Sequence, residues 1–382
     1  MANDKKRKLC VVASAPSGIV SFWKTNIERL AEHFDVYVVA NFTDESVFDG
    51  LCIKGANSVI IERRPSVVSG IKAVRELTRY FKQMKFDGFI SMSSNASLVA
   101  AIAGKLVGIP FRARIFTGQI WANKTGLSRM FFKMIDKFTV LMNTHFLVDG
   151  KSQQGYLVEN GILKNNQSVV LANGSICGVD IEKFSPNVEK REEERARLGF
   201  QKSDVVYVFM GRINRDKGTY ELLEAFNRLA ESKDNAKLLL IGNNEGVTEE
   251  TFSSYPNIVY GKNLICYGYT KTSYYALQTG DVFCLPSYRE GFGMSVIEAA
   301  AVALPVIASD AYGLRDSFVD GTTGLKCRVK DVETLYNAMK MLYDDEDMRT
   351  SYGRAGRKRV EKMFSMELVS NAWLDYFKTN IQ

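Results

Sequence analysis

The feature that most constrains the fold of this chain is an alternation of short apolar runs with longer helical patterns. In the first half, we predict strands at residues 8–13, 36–40, 58–61, 88–92, 112–116 and 145–148. Helical patterns lie between them, for example at 22–33, 67–84 and 97–107. This rhythm is typical of a parallel sheet with helices on both faces, the doubly wound α/β class.

A charged segment at residues 189–197 interrupts the alternation, which then starts again. We predict strands at 205–211, 237–241, 258–260, 281–285 and 306–308, with a helix at 219–232. This restart predicts a second doubly wound domain, so that the bounds are 1–186, 187–364 and a C-terminal helix at 365–382. That helix, in which Trp373 and Phe377 share one face, is a candidate to cross back to the first domain. The alternative for the charged segment is a solvated helix within one domain.

Composition excludes several classes of protein. The 382 residues are 46% hydrophobic and 24% charged, which is ordinary for a soluble two-domain protein. The six cysteines are scattered without a CxxC pair, so we expect buried free thiols in a reducing cytoplasm. The two histidines are far apart, which makes a zinc site improbable. The first apolar run is too short for a signal peptide, and the uncharged stretch 88–104 predicts strand, loop and helix rather than a membrane span.

The net charge of +7 is unevenly distributed. Residues 1–186 contain 24 Lys and Arg against 15 Asp and Glu, whereas the remainder contains 26 against 28. The first half is therefore basic and the second half is slightly acidic, which predicts different partners for the two.

The stretch from Arg289 to Glu298 places two carboxylates, Glu290 and Glu298, on either side of a glycine-rich turn. An apolar run precedes it and an alanine-rich run follows it, so the pattern predicts strand, loop and helix start. Backbone N–H groups at such a helix start attract anions, and the helix dipole reinforces them. The segment suits a ligand that carries both hydroxyl and phosphate groups.

A second motif, residues 209–218, also follows a predicted strand and precedes a helix. Gly211 permits a tight turn, and Arg212 and Lys217 could both reach a diphosphate at the strand end. Such cations stabilise a phosphate as it leaves carbon. The alternative is a basic surface loop.

Together these motifs resemble the retaining glycosyltransferases of family 4, which have the GT-B fold and use nucleotide-sugar donors. The resemblance rests on Gly211-Arg212 with Lys217-Gly218, and on Glu290-Gly291-Phe292-Gly293 with Glu298-Ala299. Residues 173–186, 310–313 and 321–325 also look like segments of that family. The resemblance is strong in the second half of the chain, whereas the first half resembles the family only in its pattern of strands and helices. It implies two Rossmann-like domains that face an interdomain cleft.

The resemblance also implies roles for individual residues. Arg212 and Lys217 would bind the donor diphosphate, Glu290 would contact the transferred sugar, and Glu298 would hold the ribose hydroxyls. Tyr267 and Gly268 would lie by the nucleobase, and Gly242 would line the same pocket. Backbone N–H groups of the glycine-rich turn would face sugar and phosphate: Gly291, Phe292, Gly293, Met294, Ser295 and Val296.

Glu290 has two alternative roles. In a double-displacement reaction it would be the nucleophile. The family favours front-face attack instead, in which Glu290 orients the sugar and stabilises charge. Structural alternatives are a helix cap for Glu290 and a lysine partner for Glu298. The run Asp345-Glu346-Asp347 looks like a metal-binding motif, but no apolar strand precedes it, so we interpret it as a solvated helix end. We expect neither metal nor other cofactor.

The first half departs from the family. Its first loop has Gly18 where many members have a glycine pair, and Gly18 is predicted to approach the donor phosphate. After the fifth strand, where many members have a histidine, stand Thr117 and Gly118, which we assign to the acceptor side. The general base is therefore open, although the leaving phosphate oxygen can itself accept the proton.

Two basic helical patterns in the first half predict docking to an anionic membrane. The first carries Lys72, Arg75, Arg79 and Lys82 at helical spacing, and the second mixes Arg129 and Lys133 with Met and Phe. The alternative is one solvated helix and one core helix. No nucleic-acid-binding module is recognised.

These features predict a metal-independent retaining hexosyltransferase that moves a sugar, with UDP as the expected nucleotide, to a lipid-linked saccharide. Surface polysaccharide or O-antigen assembly at the inner face of the cytoplasmic membrane is the implied setting. The alternatives are a soluble acceptor, or a non-catalytic basic interaction protein on the same scaffold.

Overall fold

The computed structural model describes residues 6–62 and 66–381. Contacts divide the chain into two compact units. Unit 1 extends to Gly178 and takes in the chain again from Met366, and unit 2 is Val179–Ser365. None of the described helices is both long and apolar enough to span a bilayer.

Unit 1 is built on a six-stranded parallel sheet. Its strands are β1 (Arg7–Val12), β2 (Phe34–Ala40), β3 (Gly55–Ser58), β4 (Gly88–Ser91), β5 (Phe111–Phe116) and β6 (His145–Val148), in the order β3-β2-β1-β4-β5-β6. Six α-helices of unit 1 precede Gly178. They are α1 (Pro16–Phe22), α2 (Lys24–Ala31), α3 (Val67–Met84), α4 (Ser94–Val107), α5 (Gly126–Met142) and α6 (Lys151–Glu159). The strand order reverses between β1 and β4, which is the switch point where such sheets bind ligands.

The central strands of unit 1 are apolar because helices cover both faces of the sheet. On one face α4 contacts α3 and α5, so these three helices form a layer. A side chain on Gly104 would place its Cβ 2.3 Å from the Phe89 ring, so only glycine lets α4 pack this closely on β4.

Unit 2 repeats the architecture. Its helices are α7 (Val188–Arg197), α8 (Thr219–Ala230), α9 (Glu249–Ser253), α10 (Ser273–Ala276), α11 (Met294–Ala301), α12 (Val332–Asp344) and α13 (Glu346–Met363). Its strands are β7 (Val205–Met210), β8 (Ala236–Ile241), β9 (Leu264–Gly268), β10 (Val282–Leu285), β11 (Val306–Ser309) and β12 (Gly324–Cys327), in the order β12-β11-β10-β7-β8-β9. All pairs are parallel, so the loops after β7, β8 and β10 emerge at one edge.

The last helix, α14 (Met366–Asn380), belongs to unit 1. It contacts α2, and the Trp373 ring lies 4.9 Å from that of Trp23, measured between centroids. The segment 179–186, which the sequence pattern assigns to the first domain, falls in unit 2. Arg357 explains this placement, because its guanidinium donates to the carbonyls of Ile181 and Phe184.

The two doubly wound sheets are confirmed, but some predicted elements are wrong. The predicted helix 22–33 corresponds to α2, which begins at Lys24, and the buried Trp23 separates it from α1, which was not predicted. The third strand is predicted at 58–61, but the observed strand β3 is Gly55–Ser58 and so ends at the first predicted residue. Residues 258–260 form no strand of the sheet, and β9 follows them instead. The strand β12 was not predicted. The expected burial of the cysteines holds for three of the six, since Cys52 is exposed and Cys177 and Cys266 are half-buried.

Candidate active site

The loop after β7 carries both predicted cations. Asn214 caps a single 3₁₀ turn, because its side-chain oxygen accepts from the Lys217 amide at 3.2 Å. Gly218 then turns the chain into α8 with φ of +73°. A Cβ on Gly218 would lie 2.1 Å from the Pro286 carbonyl oxygen, so only glycine allows the loops after β7 and β10 to approach this closely.

Asp216 ties the loop after β10 to the loop after β7. Its carbonyl accepts from the Tyr288 amide at 2.9 Å and from the Ser287 hydroxyl at 3.3 Å. Its carboxylate pairs with Arg289 at 3.4 Å. The Tyr288 hydroxyl in turn donates to Glu221 of α8 at 2.7 Å. The two loops are therefore held together before any ligand is bound.

The Lys217 ammonium donates directly to the Glu290 carboxylate. Both side chains are largely buried, with 19% and 14% of their surface exposed. Because little water screens it, the pair is stronger than an ordinary surface ion pair. A lysine ammonium has three N–H donors, so Lys217 keeps donors for a second anion. The structure thus brings two of the predicted catalytic residues together.

The turn after Glu290 is held by close backbone packing. A Cβ on Gly313 would lie 2.0 Å from the Glu290 carbonyl oxygen, so the segment predicted as a family motif is a support for this loop. The Phe292 side chain is buried against Phe364, which leaves only its backbone for a ligand. Gly293, with φ of +85°, caps α11 without any side-chain cap, so Glu290 is not the helix cap.

Not every amide of this turn is available. The Val296 amide donates to the Gly293 carbonyl at 3.0 Å, so the predicted contact of Val296 with the donor is already replaced by a helical bond. Gly291 is buried, whereas Met294 and Ser295 are half-buried at the start of α11. The first amides of this helix are the ones that the dipole argument favours.

Glu298 lies inside α11, half-buried. Burial raises the pKa of its carboxyl to about 7. No lysine pairs with it among residues 6–62 and 66–381. An unpaired acid with a pKa near neutrality is unusual for a purely structural helix residue.

Arg212 does not reach Glu290 and instead pairs with Glu245, 3.1 Å away. Glu245 follows β8, in a loop that packs on the loop after β7: a Cβ on Gly242 would lie 2.0 Å from the Gly211 carbonyl oxygen. Gly242 is therefore placed for close backbone contact, with φ of +136°. The sequence analysis missed Glu245, Asn214 and Asp216, although asparagine is a preferred N-cap residue at the start of a helical turn.

Tyr267, which is predicted to lie by the nucleobase, contacts helix α7. Its hydroxyl donates to Glu194 of α7 at 3.1 Å, and the Arg197 guanidinium lies 4.8 Å from its ring centroid. The Tyr267 side chain is therefore engaged by α7. Gly268, with φ of +80°, accepts the Gly242 amide at 2.9 Å, so it joins the loop edge through its backbone.

In unit 1, the predicted residues follow two strands at the carboxyl edge of the sheet. Gly18, predicted in a loop, lies inside α1 after β1, and Thr117 and Gly118 follow β5, with Gly118 at φ of +112°. Asp149, which the sequence analysis missed, follows β6 at the same edge. It is buried, and burial raises the pKa of its carboxyl to about 8.

The two basic helices of unit 1 present different surfaces. On α3 all four predicted cations, Lys72, Arg75, Arg79 and Lys82, are exposed. On α5 the predicted cations turn inward, because Arg129 and Lys133 lie over the Trp121 ring and donate to Asn160. The exposed face of α5 is instead apolar. Its exposed large side chains are Leu127, Met130, Phe131, Met134, Phe138 and Leu141.

The run Asp345-Glu346-Asp347 is a helix start. The Asp345 carboxylate caps α13 by accepting from the Met348 amide at 2.7 Å. Among the residues that the structure describes, no group of His, Cys, Asp and Glu could hold a metal ion.

Comparison with known proteins connects this geometry to a family. Residues 190–359 match the model of "Glycosyl transferases group 1". The chain is 28% identical over 375 residues, 97% of its length and 95% of the other's, to "Capsular polysaccharide biosynthesis glycosyltransferase CapM" of Staphylococcus aureus. It is 23% identical over 287 residues, covering 74% and 73% of the two chains, to an Escherichia coli "UDP-Gal:alpha-D-GlcNAc-diphosphoundecaprenol alpha-1,3-galactosyltransferase".

A solved structure agrees with the fold. Sucrose-phosphate synthase from Thermosynechococcus elongatus superposes with a TM-score of 0.80 at 18% identity, over 98% of this chain and 99% of that chain. The predicted GT-B fold class is confirmed.

Proposed function

With residues 190–359 forming a glycosyl transferases group 1 domain, we propose that the protein is a retaining glycosyltransferase of polysaccharide biosynthesis. It transfers a sugar from a nucleotide sugar to a lipid-linked saccharide. The observation that carries the proposal is the contact between Lys217 and Glu290, which joins the loops after neighbouring strands β7 and β10. Arg212 lies on the first of these loops, five residues before Lys217 along the chain.

Charge supports this assignment. A diphosphate that leaves an anomeric carbon gains negative charge in the transition state, and pre-positioned cations stabilise it without having to reorganise. Arg212 and Lys217 supply those cations. UDP is the proposed nucleotide, because the related E. coli enzyme is named for a UDP-sugar.

Glu290 acts as an orienting and charge-stabilising residue in this proposal, not as a nucleophile. A carboxylate oxygen that already accepts from a lysine ammonium is less available to attack carbon than a free one. The Glu290–Lys217 contact therefore favours front-face attack, in which the leaving phosphate oxygen accepts the proton of the acceptor hydroxyl. No metal enters the proposed mechanism, since Arg212 and Lys217 carry the positive charge.

The proposed acceptor is a saccharide on a polyprenyl diphosphate, reached from the cytoplasmic face of the membrane. The E. coli relative is named for a diphosphoundecaprenol acceptor. Two features of unit 1 support this proposal, because α3 exposes cations and α5 exposes an apolar face. A soluble acceptor is the alternative.

A thermal-shift panel of UDP-, GDP- and ADP-sugars tests the donor, because a ligand that binds only the folded form raises its melting temperature. The best donor is then used in a transfer assay with a synthetic polyprenyl-diphosphate sugar. We expect Lys217→Ala and Glu290→Gln each to lower kcat/KM by about 100-fold or more. The exposed Lys202→Ala is the matched control and should retain activity. If neither site variant changes turnover, or no nucleotide sugar stabilises the fold, the proposal fails.

A further inference from the structure

Glu245 stands in a loop whose backbone is fixed to the loop after β7. The Ile213 amide donates to the Asn243 carbonyl at 2.8 Å, and the Glu245 amide donates to the Ile213 carbonyl at 2.9 Å. The Asn244 side chain closes the loop by bonding to both the amide and the carbonyl of Val247. The main chain of Glu245 is therefore held in place independently of its side chain.

One carboxylate oxygen of Glu245 serves two residues of the neighbouring loop. It accepts from Arg212 Nη1 at 3.1 Å and from Asn214 Nδ2 at 2.8 Å. The Asn214 amide oxygen in turn accepts from the Lys217 amide at 3.2 Å. Glu245 is thus connected to both cations of the site, directly to Arg212 and through Asn214 to the turn that carries Lys217.

We propose that Glu245 is a positioning residue that holds the Arg212 guanidinium, and the Asn214 cap beside it, ready for the donor diphosphate. This inference rests on the proposed function, in which Arg212 binds the diphosphate. A free arginine side chain samples many rotamers, and a ligand must order it on binding. Glu245 does that ordering beforehand, since it is itself fixed by its backbone and by Asn214.

The geometry also leaves room for the ligand. Arginine has five N–H donors, and the Glu245 carboxylate uses one of them, on Nη1. Within the described part of the chain the other donors have no partner, so the edge formed by Nε and Nη2 can make the two parallel bonds that guanidinium forms with phosphate. Glu245 therefore supports Arg212 from one side and does not occupy its phosphate-binding edge.

Calorimetric titration with UDP tests this role. We expect Glu245→Ala to weaken UDP binding by about fivefold, the most that an ion pair as exposed as Arg212–Glu245 usually contributes. Glu245→Gln keeps an oxygen that can accept from Arg212 and Asn214, so we expect a loss of less than about threefold. The matched control is Glu333→Ala, which removes the carboxylate of another arginine pair, Glu333–Arg228 at 3.0 Å, and should bind UDP like the wild type.

A double-mutant cycle separates positioning from a general loss of structure. If Glu245 acts through Arg212, Glu245→Ala causes little further loss in an Arg212→Ala background. Tighter UDP binding by Glu245→Ala would show that the carboxylate competes with phosphate, and would overturn the inference. So would equal losses in both backgrounds. An Arg212→Ala variant with wild-type affinity for UDP would instead overturn the proposed function, because that residue would then not bind the diphosphate.

Discussion

At the scale of single residues, the Glu298 carboxyl is notable because it has no partner in the described part of the chain and has a pKa close to neutral pH. Burial in α11 raises its pKa to about 7, so a slight change of pH alters its charge. By linkage, whatever this group contributes to folding is fully present at acid pH and is lost as the pH rises through about 7. A ligand that prefers the ionised form would reverse that trend locally.

Ribose hydroxyls are such a ligand, since they donate to a carboxylate and bind its ionised form better. We therefore predict that affinity for the nucleotide sugar selected in the thermal-shift panel rises about five- to tenfold between pH 6 and pH 8. Its phosphodiester groups stay ionised over this range. In Glu298→Gln the dependence should vanish, because the amide does not titrate. Calorimetry at three pH values measures this, and a slope that survives in the Gln variant contradicts the ribose role.

At the scale of elements, the site depends on loops that approach each other at backbone distance. Gly313, in the loop after β11, touches the Glu290 carbonyl, and Gly218 and Gly242 make similar contacts for the loop after β7. Parallel strands bring these loops to one edge of the sheet. Glycine at the points of contact then allows their backbones to approach closely. The precise position of Glu290 is therefore a property of several elements together.

We predict that Gly313→Ala moves the loop that carries Glu290, because its Cβ would lie 2.0 Å from the Glu290 carbonyl oxygen. Activity should fall at least about tenfold, since a displacement of about 1 Å is costly in catalysis. Stability should fall by about 1–3 kcal/mol, as for overpacking. The control is Gly155→Ala on α6, where a Cβ would meet nothing within 4 Å. Transfer assays and thermal unfolding measure both effects, and wild-type activity in Gly313→Ala would contradict the prediction.

The sequence was sufficient for most elements because apolar runs and helical spacing are local signals. It failed where turn chemistry overrode them. At residues 258–260 the apolar letters suggest a strand, but the Asn263 side chain accepts from the Val259 amide at 2.7 Å and makes a turn. Val259 and Tyr260 are accordingly exposed. The strand β9 lies beyond that turn. It contains Tyr267 and Gly268, which the sequence analysis predicts only as residues of the ligand pocket.

For the site, the sequence indicated which loops contain the candidate functional residues, but not which side chains these residues contact. Lys217 and Glu290 meet because β7 and β10 are neighbours in the sheet. The order of strands in a sheet cannot be deduced from the pattern of a single sequence. Arg212 selects Glu245 because the loops after β7 and β8 are joined by backbone bonds. Tyr267 pairs with α7, which the strand pattern alone does not reveal. Such choices depend on tertiary contacts.

At the scale of the whole molecule, the charge of the chain is concentrated in residues 1–186, and the surface of unit 1 refines how it could bind a membrane. Cations are exposed on α3, whereas α5 exposes an apolar stripe and turns Arg129 and Lys133 toward Trp121. The docking surface is thus expected to have two parts. The basic part attracts anionic lipid, and salt weakens that attraction. The apolar part inserts side chains into the membrane, and salt does not weaken this contribution.

We predict that the full-length protein sediments with vesicles that contain anionic phospholipid and that this binding weakens as salt rises. Lys72→Glu with Arg79→Glu should lower the partition constant at least about tenfold at low salt, since each basic residue near such a surface contributes about 1 kcal/mol. Phe131→Ser with Leu141→Ser should lower it at every salt concentration, because burial of apolar area is not screened. Lys202→Glu, on unit 2, is the charge control. Binding that is absent at low salt, or equal in all variants, would favour an acceptor that is soluble.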